Sequence, residues 1–169
     1  GLNEITPPAP FESSKIIGGG LNYRDHVFEL ERKGLPSALP KEPVLFFKSA
    51  TALTAPGSPI FLPPESARVE YEAEGGFYVK RAARRVTKES AAEYIFGYTC
   101  VNDVTARDLQ RSDVQWTRAK SFDTFCPAGP VVETDFDWAQ AEIKGTLNDK
   151  VVQHSRGSEM LFDPPAILS

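Results

Sequence analysis

A chain of 169 residues is long enough for one domain with a core of its own and short for two. With 41% hydrophobic residues, 25% charged residues and a net charge of −4, its profile is that of an ordinary globular protein, with no electrostatic reason to expect nucleic acid. No apolar run approaches membrane-spanning length and no basic-then-apolar leader opens the chain, so a membrane is not an expected partner either.

Residues 1–14 ("GLNEITPPAPFESS") are proline-rich and aperiodic, an extended lead-in, and the opening Gly1 reads as a processed or trimmed terminus. "KIIGGG" follows as a short apolar strand running into three glycines. "YRDHVFELERKG" (23–34) predicts a short helix with Val27 and Leu30 as its apolar stripe and Gly34 as its stop. "EPVLFFKSATAL" reads as a buried strand entering a turn, and "APGSPIFLPP" as turn punctuation around another short strand. The basic run "KRAARR" (80–85) reads as a solvated turn. A helix is expected over "TKESAAEYIF" with Thr87 as its N-cap, then an apolar strand, "GYTCVNDV", that ends in Asn102 and Asp103. From "QWTRAKSFDTFCPAGP" onward loop signals dominate, until "AEIKGTLNDKVVQHS" alternates like a hairpin with Asn148-Asp149 at its turn. There is no repeat, heptad or low-complexity segment. Many short strands and few helices predict a β-rich α+β domain. Cys100 and Cys126 lie in apolar surroundings without CxxC spacing, which predicts two buried free thiols in a reducing, cytoplasmic setting.

The stretch "VEYEAE" (69–74) places Glu70, Glu72 and Glu74 at alternate positions, which on one strand share a face. Either that face is solvated or the three like charges need a counter-charge. Two carboxylates at i and i+2, with Asp103 at the tip of another strand, would supply three oxygen ligands. Hard oxygens without neighbouring His or Cys suit Mg²⁺, Mn²⁺ or Ca²⁺ and argue against zinc. The chain has two histidines. His26 shares a helix face with Glu29 and could be a surface histidine; His154, in the hairpin, reads as a surface residue. Arg107 with Asp108 could be an ordinary ion pair, and Gln110 a solvated polar residue.

The motifs "GLNYRDHVFE", "YEAE", "FGYTCVNDVTARDLQ" and "QWTRAKSFDTFCPAGP", in that order, resemble the fumarylacetoacetate hydrolase family, in particular its short bacterial-type members: acylpyruvases, oxaloacetate decarboxylases and 2-hydroxyhepta-2,4-diene-1,7-dioate isomerases. The resemblance runs from about Lys15 to the end of the chain. It implies a mixed β-sheet roll or barrel with a short N-terminal lid helix, and a homodimer. It implies Glu72, Glu74 and Asp103 as ligands of Mg²⁺ (or Mn²⁺, or Ca²⁺), with Glu70 a rim residue. His26 and Glu29 would be the base and its orienting carboxylate on the lid. Lys120 and Gln110 would reach the carboxylate or developing oxyanion of a small 2-oxo acid, with Arg107 bracing the site. Tyr23, as a substrate contact, and Lys48 are family-like and could equally be structural. An additional metal-binding carboxylate upstream of the histidine, typical of fumarylacetoacetase itself, has no equivalent around Asn22. The family usually has bulky apolar residues where this chain has Gly75 and Gly76, which predicts a bend or an irregular segment there. The chain stops at "FDPPAILS", where family members continue, so residues 15–169 are expected to be a catalytic domain lacking its C-terminal part.

The resulting expectation is a divalent-metal enzyme acting on a 2-oxo or 2-hydroxydienoic acid, of the isomerase or decarboxylase type found in aromatic catabolism. The alternatives are C–C hydrolysis of an acylpyruvate or fumarylpyruvate, oxaloacetate decarboxylation, and a metal-binding remnant without activity.

Overall fold

Short strands joined by single-turn helices, the pattern that brief apolar runs between Gly, Pro and Asn demand, make up the structure. The computed structural model describes residues 9–10, 12–24, 28 and 38–169. The strands are β1 (Ile16–Gly20), β2 (Val44–Lys48), β3 (Leu53–Thr54), β4 (Val69–Glu70), β5 (Ala73–Val79), β6 (Ile95–Asn102), β7 (Thr105–Ala106), β8 (Cys126–Pro127), β9 (Glu142–Leu147) and β10 (Lys150–Arg156). The helices are α1 (Lys88–Ala91), α2 (Arg107–Ser112), α3 (Thr117–Lys120) and α4 (Pro164–Leu168). The fold is β-rich α+β, as expected. The strands pair as β1–β2, β3–β8, β4–β7, β5–β6 and β9–β10, and no closed barrel forms among the described residues. The pairing is mixed: β3 and β8 run parallel, β4 and β7 antiparallel.

The chain divides into two compact units, and β1, β2, β5 and β6 each contribute residues to both. The first comprises residues 1–18, 46–76 and 99–133. Its core is Ala52, Val104, Ala106, Ala119, Phe125 and Cys126, with Val69, Val101 and Leu109 packed against it. In β2, alternation turns Phe46 and Lys48 inward and leaves Phe47 outward, 56% exposed. This strand is therefore half-buried, where its apolar run predicted full burial.

The second unit comprises residues 19–45, 77–98 and 134–169. Tyr98, Phe136 and Trp138 form an aromatic cluster. The buried amide of Asn22 makes a two-way pair with the backbone of Phe162, donating to its carbonyl and accepting from its N–H. The hairpin β9–β10 turns at Asn148-Asp149, both at positive φ (49° and 62°), the geometry of a type I′ turn.

Several sequence expectations fail for local reasons. Ile60 and Phe61 form no strand; the Phe61 N–H donates instead to Thr124 Oγ1. The helix begun at Thr87 is shorter than expected, α1 passing into a 3₁₀ turn at Ala92–Tyr94 before β6 begins. Thr87 starts it without a side-chain cap, its carbonyl accepting from Ser90 and Ala91. The acidic stretch is not one strand: β4 ends at Glu70, β5 begins at Ala73, and the predicted irregularity at Gly75-Gly76 is absent because β5 runs through both. Gly76 is needed there, since a Cβ would lie 2.7 Å from Val101 Cγ2. Both cysteines are free, but only Cys126 is buried; Cys100 faces outward on the exposed alternate positions of β6. Most of the lead-in (residues 1–8 and 11), and the lid helix with His26 and Glu29, lie outside the described residues.

Candidate active site

The break between β4 and β5 builds the centre of the site, which lies wholly in the first unit. Glu72 falls in the gap, where its N–H donates to Asn102 Oδ1 and its carbonyl accepts from the Asp103 N–H. The Asn-Asp pair at the end of β6 thus has two tasks: Asn102 holds the backbone of Glu72, and Asp103 turns its carboxylate toward it. Thr105, fully buried, donates to the Asp103 carbonyl and fixes the turn that follows.

Around these carboxylates stand fixed cations. Lys120, 2% exposed at the end of α3, donates to Glu72 Oε2 at 2.6 Å and Asp103 Oδ2 at 2.5 Å. Its ammonium also lies 4.7 Å from the centre of the Phe46 ring, a cation–π contact. Lys48, 4% exposed, donates to Asp103 Oδ1 at 2.5 Å and to the Val104 carbonyl. Arg107, the first residue of α2, spreads its guanidinium over Glu72, Glu70 and Gln110. Gln110 lies one helical turn on, the spacing that lets Arg107 reach it. Asp108 pairs not with Arg107 but with Ser66 Oγ and the Ala67 N–H.

The electrostatics separate the two glutamates among the expected ligands. Burial alone would raise the Glu72 carboxyl, but Lys120 and Arg107 hold it down to about 2. Burial, reinforced by the charges of Glu72 and Asp103, pushes Glu74 up to about 8. Among the described residues Glu74 has no ion pair, so its ionised form is the one most in need of a counter-charge. Together these three residues offer a hard, all-oxygen donor set, which fits Mg²⁺ or Mn²⁺. As they stand, no three potential ligands among the described residues are gathered around one point. The two lysines engage both Asp103 oxygens, and the ammonium of Lys120 joins Asp103 to Glu72.

The structure therefore brings together Glu72, Glu74, Asp103, Arg107, Gln110 and Lys120. Tyr23 belongs to the second unit, bridged antiparallel to Met160. His154 lies on the exposed hairpin, 3.9 Å from Glu142. Glu70, expected as a rim residue, is instead part of the brace: it accepts from Arg107 Nε at 2.8 Å and from Arg68. Lys48, family-like in the sequence, and Phe46, not singled out there, also line the candidate site, and their signal in the sequence is the alternation of β2, which places a lysine at an inward position.

Residues 15–169 match the family model described as fumarylacetoacetate (FAA) hydrolase, C-terminal. A crystal structure of 5-carboxymethyl-2-hydroxymuconate delta-isomerase from Mycobacterium smegmatis superposes with a TM-score of 0.87 at 41% identity, covering 99% of this chain and 64% of that one. A mitochondrial oxaloacetate tautomerase of Xenopus laevis is 38% identical over 173 residues, 99% of this chain and 51% of its own length. Maleylpyruvate hydrolase of Sphingobium, solved with manganese(II) and pyruvate, superposes with a TM-score of 0.74 at 27% identity, covering 95% of this chain and 55% of that one. The chain spans less than two thirds of the length of each.

Proposed function

The chain belongs to the fumarylacetoacetate hydrolase family, and from that premise we propose that it serves a divalent-metal enzyme that isomerises or decarboxylates a small 2-oxo or 2-hydroxydienoic acid. The observation that carries this reading is the set Glu72, Glu74 and Asp103, interleaved with the fixed cations Lys120 and Arg107. The similarity to an isomerase and to an oxaloacetate tautomerase supports proton transfer next to a carbonyl as the chemistry.

Glu72, Glu74 and Asp103 would hold Mg²⁺ or Mn²⁺, which when bound supplies Lewis-acid polarisation of the substrate's 2-oxo oxygen. Lys120 Nζ would face the negative charge that develops on that oxygen. Arg107 orients Glu72 through one guanidinium nitrogen and Gln110 through another, so the side chain meant to meet the substrate carboxylate is held in advance. His26, oriented by Glu29, would move the proton, with Tyr23 as a further substrate contact; these roles rest on the resemblance. A homodimer in the cytoplasm belongs to the same proposal, the dimer being checked by light scattering of the purified chain.

The test is turnover of oxaloacetate and a 2-hydroxydienedioate with Mg²⁺ or Mn²⁺ against an EDTA control. Hydrolysis is the second reading, favoured by the likeness to the maleylpyruvate hydrolase, so an acylpyruvate is assayed alongside. His26→Ala should cost on the order of 10²–10⁴ in hydrolysis, which needs an activated water, and much less in decarboxylation. No turnover of any of the three with either metal would leave the non-catalytic, metal-binding reading.

A further inference from the structure

We propose that Lys48 is a positioning residue for Asp103, holding one carboxylate oxygen so that the other is presented toward Glu72. The inference rests on the metal-site reading above and adds a residue to it. Strand β2 delivers Lys48 by alternation: Phe46 and Lys48 point inward, Leu45 and Phe47 outward. A lysine only 4% exposed is rare and is kept by its partners. Those partners are Asp103 Oδ1 at 2.5 Å and the carbonyl of Val104 at 3.1 Å, so one ammonium grips two consecutive residues just beyond the end of β6. With Oδ1 taken, Oδ2 is the oxygen on the side of Glu72, where Lys120 now joins the two. The same strand places the Phe46 ring against Lys120, so β2 sets both lysines of the site, one by carrying it and one by contact.

Charge and position predict opposite results when Lys48 is removed. A lysine acting only as a positive charge repels a cation, so its loss tightens cation binding. A lysine that presents Asp103 is needed for binding, so its loss weakens it. Groups that orient a ligand in this way are worth about 10- to 100-fold in metal affinity.

The experiment measures Mn²⁺ binding to the purified, EDTA-stripped chain from the electron paramagnetic resonance signal of free Mn²⁺, for wild type, Lys48→Met and Lys48→Gln. The dissociation constant should rise about 10- to 100-fold in Lys48→Met. Lys48→Gln, which keeps a donor and drops the charge, should fall between wild type and Met. If the Met variant does not fold, judged by circular dichroism, the Gln variant decides. Affinity equal to or tighter than wild type in either folded variant overturns the proposal. A lysine that only ties β2 to the end of β6 would lower the melting temperature and leave the dissociation constant unchanged. Failure of the wild type itself to bind Mn²⁺ would overturn the metal-site reading and this inference with it.

Discussion

Glu74 and Glu72 stand two residues apart in sequence and at opposite ends of the carboxylate range. Glu74 titrates near 4.5 when unfolded and at about 8 when folded, because burial and the charges of Glu72 and Asp103 oppose its ionisation. The folded state therefore keeps a proton that the unfolded state has lost, and stability falls as pH rises between those values. Metal-free protein should melt at progressively lower temperature from pH 5 to pH 8, and Glu74→Gln should flatten the slope; equal slopes in both proteins would refute the assignment. A divalent cation bound at pH 7 should displace that proton, seen by calorimetry in buffers of different ionisation enthalpy. Glu72, held down to about 2 by Lys120 and Arg107 against its burial, makes a contribution that is present above about 4.5 and lost as pH falls toward 2, outside that window. Glu70 acts through Arg107. Glu70→Gln should cost about 10-fold in kcat/KM, the low end for a supporting partner because Glu70 is partly exposed. Unchanged kinetics would return it to the rim.

At the scale of elements, two positions depend on backbone geometry that only certain residues supply. A Cβ on Gly18, in β1, would run into the Phe46 ring, the ring that lies against Lys120. Gly18→Ala should destabilise the fold by about 1–3 kcal/mol in urea denaturation, the usual cost of overpacking, and should lower activity through Lys120. At the hairpin turn, Asn148→Val places a branched side chain at positive φ and should cost about 1–2 kcal/mol. An unchanged denaturation midpoint would show that the turn is not under that constraint. The hairpin was legible as an alternating segment around an Asn-Asp turn, and β1, β2 and β6 as apolar runs closed by their own turn residues. The gap between β4 and β5 was not, because Glu72 leaves the strand for a bond with Asn102, thirty residues away. The six residues of α2 are too few to show a period, and the backbone bond from the Arg107 N–H to the Arg68 carbonyl at its start is likewise long-range.

At the scale of the whole molecule, the two thiols both belong to the first unit, Cys126 in its core and Cys100 on its surface. Burial pushes the Cys126 thiol up to about 11, so it is neither ionised nor reachable at pH 8. A thiol reagent should modify Cys100 promptly and Cys126 only on unfolding; equal rates would mean that the first unit's core is open. Among the described residues no helix is long and apolar enough to cross a membrane. Local sequence was sufficient for the family and for nominating the acidic residues of the candidate site, because "YEAE" and the Asn-Asp strand end are short patterns whose chemistry is visible in the residue types themselves. It was not sufficient for the surroundings of those acids. Whether Glu70 is rim or brace, whether Lys48 faces water or Asp103, and which of the paired glutamates keeps its proton depend on charges brought within hydrogen-bonding distance from β2, β6, α2 and α3. Burial and Coulomb energies are set by distance in space, and only the tertiary structure fixes that distance.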